Sequence, residues 1–270
     1  MVVGNRPGDL CRRQVHFRHC RLEAVVGLGH LTGSKGIGLA AAKLLADRGA
    51  RVMCVARNVA ELAEPGLEFV SADLGTRGGC EQAVDETVAR LGMVDILVCN
   101  HGIGSAHEKV LWEQTDDTWT ESMRVNLDAP FYLSRAVLPG MIERSFGRMV
   151  YTSSTAATAA EHAGCAYNSS KAGLLGLMRS VATDAGQFGI TANAVLPGWV
   201  RTAMAERSAK QEAKDRDLTP EQVWAERAAL YPAARVATPE EVAETIAFLA
   251  SEESGGVSGE SVRVALGGVF

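Results

Sequence analysis

The chain has 270 residues, a formal net charge of −5 at pH 7 and 47% hydrophobic residues, enough to bury the core of one large α/β domain. This acidic balance argues against nucleic acid as a partner, because nucleic-acid-binding proteins usually carry a basic face. No apolar run approaches the ~20 residues that cross a bilayer, and no secretory signal pattern is present. We therefore expect a cytoplasmic protein with no membrane partner.

The first 22 residues differ in composition from the rest. They contain five arginines and a single acid, Asp9, without a periodic apolar pattern, so we interpret 1–22 as a disordered basic tail. An organellar presequence is the alternative, because acids are scarce. The segment also contains Cys11, His16, His19 and Cys20, but their spacing fits no standard zinc site, and we expect no metal. The scattered cysteines indicate reduced thiols.

From residue 23 onwards, predicted strands and helices alternate. The apolar pattern predicts strands over Ala24–Leu31, Arg51–Ala56, Leu67–Ser71, Val94–Cys99, Met149–Ser153, Thr191–Leu196 and Ser261–Ala265. It predicts helices from Ile37 to Gly49, around Val84–Leu91, over Asp116–Glu143 with a break near Pro139, over Cys165–Gln187, and from Pro239. This alternation predicts a single α/β domain over 23–270, built on a Rossmann-like doubly wound parallel sheet.

One charged, alanine-rich stretch, 200–235, interrupts the alternation. It follows the carboxyl end of a predicted strand, where α/β sheets bind their ligands. We interpret it as a substrate lid, and a solvated surface helix is the alternative. Thr219-Pro220-Glu221 predicts a helix start within it, and Tyr231-Pro232 a stop.

A glycine-rich turn lies between the first predicted strand and the first predicted helix. It reads Thr32-Gly33-Ser34-Lys35-Gly36-Ile37-Gly38. Glycines there let the backbone approach a pyrophosphate, and the helix N-terminus offers free N–H groups and a partial positive charge. We therefore expect residues 33–38 to bind a dinucleotide.

A second pattern concerns proton transfer. Tyr167 and Lys171 lie four residues apart on a predicted helix, so both side chains share one face. A phenol with a pKa of about 10 is a poor proton donor or base at neutral pH, and a neighbouring ammonium lowers that pKa. Ser154, at the end of a predicted strand, can hold the substrate oxygen while Tyr167 transfers the proton.

The glycine-rich turn, the Ser154–Tyr167–Lys171 set, Val125-Asn126-Leu127 and the Pro197-Gly198 pair together resemble the short-chain dehydrogenase/reductase family. The resemblance covers about residue 30 to the C-terminus, although the glycine-rich turn is one residue shorter than the family's. It implies catalytic roles for Asn126, Ser154, Tyr167 and Lys171. It further implies transfer of the pro-S hydride to the carbonyl carbon, protonation by Tyr167, ribose binding by Lys171, and a water relay from Asn126 to Lys171.

The resemblance also extends the expected cofactor site. Asp73 matches an aspartate that contacts adenine, and His101 is interpreted as a substitution beside the cofactor rather than as an acid or base. The further expected contacts are Leu74, Asn100, Gly102, Tyr167, Lys171, Pro197, Gly198, Val200 and Thr202. The second predicted strand ends in Arg57 with no acid, and Lys35 adds a second cation, so we expect a 2′-phosphate and hence NADP, with NAD as the alternative.

We therefore expect an NADP(H)-dependent oxidoreductase that interconverts a ketone and a secondary alcohol, with a 3-oxoacyl thioester as one candidate ketone. A non-catalytic dinucleotide sensor or scaffold is the alternative, favoured by the short glycine-rich turn and opposed by the intact Ser154–Tyr167–Lys171 set. Similar family members carry two arginines that contact an acyl carrier, and Tyr132 and Thr183 stand at those positions. We expect a small-molecule substrate instead, and the resemblance implies a homotetramer or homodimer.

Overall fold

The computed structural model describes residues 23–27, 36–59, 62, 64–106 and 108–268, and the predicted basic tail lies outside this part of the chain. Its strands form one parallel sheet in the order β3-β2-β1-β4-β5-β6-β7. The strands are β1 (Glu23–Gly27), β2 (Arg51–Ala56), β3 (Leu67–Ser71), β4 (Ile96–Cys99), β5 (Gly147–Thr152), β6 (Ile190–Pro197) and β7 (Ser261–Val264). The predicted doubly wound parallel sheet is confirmed.

The helices connect these strands and cover both sheet faces. They are α1 (Ile37–Asp47), α2 (Arg77–Leu91), α3 (Asp116–Met123), α4 (Ala129–Arg144), α5 (Cys165–Ala185), α6 (Ala203–Asp215), α7 (Pro220–Ala229) and α8 (Pro239–Leu249). In the described part of the chain, no helix is both long enough and apolar enough to cross a membrane.

Threonine side chains begin most of these helices. The residues Thr76, Thr115, Thr202, Thr219 and Thr238 each accept a backbone N–H from the first turn. The last two form capping boxes, and the proline that follows each has no N–H to leave unpaired. The predicted starts of α7 and α8 are therefore confirmed.

The core has two layers because successive strand residues point to opposite faces of the sheet. Met53, Leu97 and Met149 belong to the layer under α2, α4 and α5. Val52 and Val150, their neighbours in sequence, pack under α1 and α8. Burial on both faces explains why the central strands read as continuous apolar runs.

The predicted helix over Asp116–Glu143 is interrupted, but the predicted position of the break is wrong. Helix α4 runs through Pro139, which is exposed, so the carbonyl it leaves unpaired can be solvated. The chain instead forms a π-helical turn over Arg124–Asp128, between α3 and α4. This turn carries Asn126, a residue of the expected catalytic set.

The order of the strands creates a crevice at one end of the sheet. From β1 the chain proceeds outward through β2 and β3, then crosses back to place β4 on the other side of β1. The turns that leave the carboxyl ends of β1 and β4 therefore diverge, and ligands of open α/β sheets bind at this place.

Candidate active site

Strand β5 and helix α5 bring together three of the four expected catalytic residues. Ser154 follows β5, is 8% exposed, and accepts the backbone N–H of Ala156 at 3.2 Å. Tyr167 forms a hydrogen bond with Ser154 and projects from the first turn of α5. The Nζ atom of Lys171, one turn later, lies 5.8 Å from the centroid of the Tyr167 ring.

Lys171 also connects α5 to the β5 strand end through two hydrogen bonds. Its Nζ donates to the carbonyl of Thr152 at 3.0 Å, and the hydroxyl of Ser153 donates to the Lys171 carbonyl at 2.9 Å. The side chain is buried, and burial lowers the pKa of Lys171 to about 8, because a low-dielectric site disfavours the charged form. The residue can therefore gain or lose a proton near neutral pH.

Asn126 lies on the opposite side of the lysine and joins three segments. Its Oδ1 accepts the N–H of Ile103 at 2.8 Å, and its Nδ2 donates to the Ile103 carbonyl at 3.0 Å and to Ser170 Oγ at 3.1 Å. A Cβ at Gly102 would lie 3.0 Å from Asn126 Oδ1 and 3.3 Å from Lys171 Nζ. Glycine is needed there because the loop after β4 passes so close to the lysine.

Two opposing influences act on the acidity of Tyr167. Proximity to Lys171 predicts a lowered pKa, but within the polypeptide burial raises the pKa of Tyr167 to about 12. The hydrogen bond with Ser154 opposes this rise, whereas the carboxylates of Glu161 and Glu108 add to it. The Lys171 ammonium is directed to the Thr152 carbonyl rather than to the phenol oxygen. The phenol is consequently protonated at neutral pH, the state required to donate a proton.

Glu108 is a site residue that sequence reasoning missed. Helix α5 begins after Gly164, which has no side chain to cap it. Glu108, from the loop after β4, accepts the backbone N–H groups of Ala166 at 2.9 Å and Tyr167 at 2.8 Å. The carboxylate thus holds the turn of α5 that carries the phenol. The lack of a local capping side chain at Gly164 was the available signal.

We expect Glu108→Gln to lower the free energy of unfolding by about 1–3 kcal/mol, because the amide can accept only one of the two N–H groups. We also expect a lower kcat, because the first turn of α5 loses one of the bonds that position Tyr167. Denaturant unfolding and steady-state kinetics measure the two effects. Glu113→Gln, at an exposed position of the same segment, is the matched control. Equal stability and kcat in the two variants would contradict this role.

The described part of the glycine-rich turn begins at Gly36, and Gly33, Ser34 and Lys35 lie outside it. Gly36 has φ 131° and ψ −177°, a conformation that side chains disfavour. No side chain caps the start of α1, so the backbone N–H groups at Ile37 and Gly38 can meet an anion. A Cβ at Gly36 would lie 4.0 Å from Thr202 Cγ2, so two segments expected at the cofactor are neighbours.

The other expected cofactor residues follow the carboxyl ends of the strands. Arg57 is exposed after β2, and Asp73 is exposed after β3, where its Oδ1 accepts the Gly75 N–H at 3.0 Å. Leu74 is buried. Asn100 is half-buried after β4, and His101, beside it, is 5% exposed.

The segment after β6 is held by Tyr231. The Tyr231 hydroxyl accepts the N–H of Trp199 at 2.6 Å, and its ring packs where a Cβ of Gly198 would otherwise stand. Pro197 ends β6, Val200 is buried, and Thr202 caps α6. The backbone of this segment is therefore fixed beside Gly36.

Helices α6 and α7, within the 200–235 stretch, pack on each other around Arg227. This guanidinium is 4% exposed, lies 3.6 Å from the Trp199 ring centroid and 5.0 Å from that of Trp224, and donates to Glu212 at 2.8 Å. Trp224 therefore packs within the helical pair rather than lining an open pocket. Met204 of α6 approaches the loop after β4, since a Cβ at Gly104 would lie 3.2 Å from its Sδ.

Comparison with known proteins agrees with this geometry. A family model described as enoyl-(acyl carrier protein) reductase matches residues 32–268. The chain belongs to this family, which is part of the short-chain dehydrogenases/reductases. It is an oxidoreductase that acts on the CH–OH/C=O pair, so the prediction of an enzyme rather than a sensor is confirmed.

Among individual relatives, the chain is 34% identical to a 3-oxoacyl-(acyl-carrier-protein) reductase of Vibrio cholerae, over 90% of this chain and 96% of that protein. The structure of Thermoplasma acidophilum aldohexose dehydrogenase is similar with a TM-score of 0.83 and 27% identity, covering 92% of this chain and 93% of the other. The structure of an actinorhodin polyketide ketoreductase variant with NADPH is also similar, with a TM-score of 0.82 and 28% identity. The match covers 93% of this chain and 98% of the other.

Proposed function

We propose that the protein reduces a ketone to a secondary alcohol with NADPH and that Tyr167 donates the proton. The observation that carries this proposal is the cluster of half-buried Tyr167 with buried Ser154 and Lys171 after β5, beside the crevice between β1 and β4. A phenol hydrogen-bonded to a serine and backed by a titratable lysine is an arrangement for moving a proton to or from an oxygen.

The residues present fit a dinucleotide. The uncapped start of α1 offers N–H groups to a pyrophosphate, and Gly36 and Gly102 leave room where side chains would fill the approach. We infer that Asp73 and Leu74 hold the adenine, that Asn100 and Lys171 face the ribose beside the nicotinamide, and that Val200 and Thr202 meet the carboxamide. When bound, NADPH supplies the hydride for the carbonyl carbon.

The chain's own groups then handle the oxygen and its proton. When substrate binds, Ser154 turns its O–H from Tyr167 to the carbonyl oxygen and orients that oxygen toward the phenol. As negative charge develops on that oxygen, the Tyr167 phenol gives up its proton, and the Lys171 ammonium stabilises the resulting phenolate. Lys171 can then return a proton, because its pKa of about 8 lies close to neutral pH. Asn126 fixes the loop after β4 against this lysine.

The preference for NADPH over NADH rests on Arg57, an exposed cation after β2, with Lys35 as its expected partner at the 2′-phosphate. Arg57→Ala should weaken NADPH binding by about 10- to 100-fold, since charge-assisted hydrogen bonds contribute roughly 1.5–3 kcal/mol. It should leave NADH binding unchanged. Fluorescence titration of both cofactors measures this effect, with Arg179→Ala, exposed on α5, as the control.

Tight NADPH binding by the parent protein would support a working glycine-rich turn despite its shorter length. Equal affinity of the parent protein for the two cofactors would contradict the NADP assignment. Loss of NADH binding in Arg57→Ala would instead give Arg57 a structural role.

The substrate we propose is a small ketone rather than a carrier-bound acyl group, because Tyr132 and Thr183 replace the cations expected for an acyl carrier. The 200–235 stretch is proposed to cover that substrate as a lid, since Met204 of α6 lies over the loop after β4. Comparing kcat/KM for a small 3-oxoacyl thioester and for the same acyl group on a carrier protein tests this assignment. A clear preference for the carrier would contradict it.

We also propose a homotetramer or homodimer, supported by exposed aromatic side chains on α3 and α4, Trp119 at 40% and Phe131 at 42%. A cytoplasmic location is supported by the four described cysteines, all of which are free.

A further inference from the structure

The carboxyl of Glu161, in the loop between β5 and α5, lies near the catalytic set but has no role in the proposed proton transfer. It is half-buried, and burial raises its pKa. Among the described residues it forms no ion pair, and its only side-chain hydrogen bond is a long one, 3.3 Å, from Ser105 Oγ. A sequestered carboxylate with so few partners costs free energy and requires an explanation.

The backbone of Glu161 is fixed relative to the catalytic phenol. Asn168, the residue immediately after Tyr167, donates its Nδ2 to the Glu161 carbonyl at 3.0 Å and accepts the Glu161 N–H at 3.4 Å. One side chain thus ties the loop to the turn of α5 that carries Tyr167. The backbone of Glu161 consequently keeps a set position relative to Tyr167, and Ser105 Oγ contacts the carboxylate, as positioning of a recognition group requires.

Two contacts place Glu161 between the loop after β4 and the start of α5: Ser105 of that loop donates to the carboxylate at 3.3 Å, and Asn168 bonds to the Glu161 backbone. In this position its charge raises the pKa of both Tyr167 and Tyr231. Arg227 lowers the pKa of Glu161 from a distance, but that guanidinium is already bonded to Glu212 and stacked on Trp199. Glu161 therefore keeps acceptor capacity beside the first turn of α5, which carries Tyr167.

We propose that Glu161 recognises a hydroxyl group of the substrate, so that hydroxylated ketones are the preferred substrate class. This inference rests on the proposed ketone reduction. A hydroxyl supplies the donor that the carboxylate lacks, and Ser105 orients the carboxylate. A substrate ammonium fits less well, because Arg227 already provides a positive charge in this region. Removing the Glu161 carboxylate should abolish discrimination between a hydroxylated ketone and its deoxy analogue.

The experiment measures kcat/KM with NADPH for cyclohexanone and for hydroxycyclohexanones that carry the hydroxyl at each ring position. The best hydroxylated ketone should exceed cyclohexanone by about 10- to 100-fold in the parent protein. In Glu161→Leu this ratio should fall to about one, and in Ser105→Ala it should fall part of the way. Removing the charge of Glu161 also changes Tyr167, but that effect applies to both substrates and cancels in the ratio.

Glu161→Gln keeps one acceptor oxygen at nearly the same size, so its ratio of kcat/KM for the best hydroxylated ketone to that for cyclohexanone should be intermediate. This variant tests the inference even if the leucine variant does not fold. Glu253→Gln, at an exposed position far along the chain, should leave the ratio unchanged. An equal ratio in the parent protein and Glu161→Leu would overturn the inference, as would preference for an aminocyclohexanone. Turnover of every ketone without discrimination defeats this inference alone, whereas turnover of none defeats the proposed function as well.

Discussion

Replacing Tyr167 with phenylalanine should lower kcat for ketone reduction by about 10²–10⁴-fold, the range in which a positioned general acid contributes. The ring remains in place and only the hydroxyl is lost, so the buried packing of α5 is preserved. NADPH affinity should therefore stay within a few-fold of the parent value. Stopped-flow measurement of NADPH oxidation gives kcat, and fluorescence titration gives the affinity.

Tyr151→Phe is the matched control. That phenol is fully buried, lies on β5 under α4 and bonds to Ser134 at 2.7 Å. Loss of its hydroxyl should cost about 1 kcal/mol of stability and leave kcat unchanged. If both tyrosine variants lost turnover to the same extent, the effect would reflect packing, and Tyr167 would have no special part in the reaction.

Replacing Lys171 with methionine should also lower kcat by about 10²-fold or more, because the ammonium that stabilises the phenolate is lost. In contrast to kcat, the free energy of unfolding should rise in Lys171→Met at neutral pH. The folded-state pKa of Lys171 is about 8, against an ordinary value of 10.5. The parent protein therefore bears the full cost of burying a charge below pH 8, and that cost disappears as the pH rises through the ordinary value.

The stability difference between Lys171→Met and the parent protein is accordingly expected to favour the variant most near pH 7 and to shrink toward pH 10. Thermal unfolding across this range measures the difference. Lys210→Met, at an exposed position on α6, should show no such pH dependence. A gap that widened with pH would mean that the folded state raises the pKa of Lys171 and would contradict its burial as an ammonium.

The sheet could be predicted from sequence because its strands are buried on both faces. Val52 and Met53 face different core layers, so the strand shows a continuous apolar run bounded by turn residues. The break at Pro139 was wrongly predicted because a proline on the exposed side of a helix is tolerated when solvent satisfies the carbonyl. The π-helical turn at Asn126 has no local sequence signal, since tertiary hydrogen bonds to Ile103 and Ser170 maintain it.

The identity and order of the expected catalytic residues could be predicted from the sequence. The burial and the charges that surround them could not. Ser154, Tyr167 and Lys171 could be identified from their spacing, because a strand end and one helical turn bring them together. Glu108 and Glu161 could not, since their roles depend on loops that cross from other segments. Spacing likewise indicates an ammonium near Tyr167 but gives no measure of the burial that raises the pKa of the phenol.

The most direct test of the proposed reaction measures whether deuterium is transferred from NADPH to the product alcohol. The protein is incubated with a ketone and NADPH that carries deuterium at the pro-S position of the nicotinamide, and the product alcohol is analysed by mass spectrometry. We predict an alcohol that carries one deuterium on the former carbonyl carbon, formed by the parent protein and nearly absent with Tyr167→Phe. An unlabelled alcohol would contradict transfer of the pro-S hydride, absence of any alcohol would contradict the proposed reaction, and equal labelled product from both proteins would contradict the role of Tyr167.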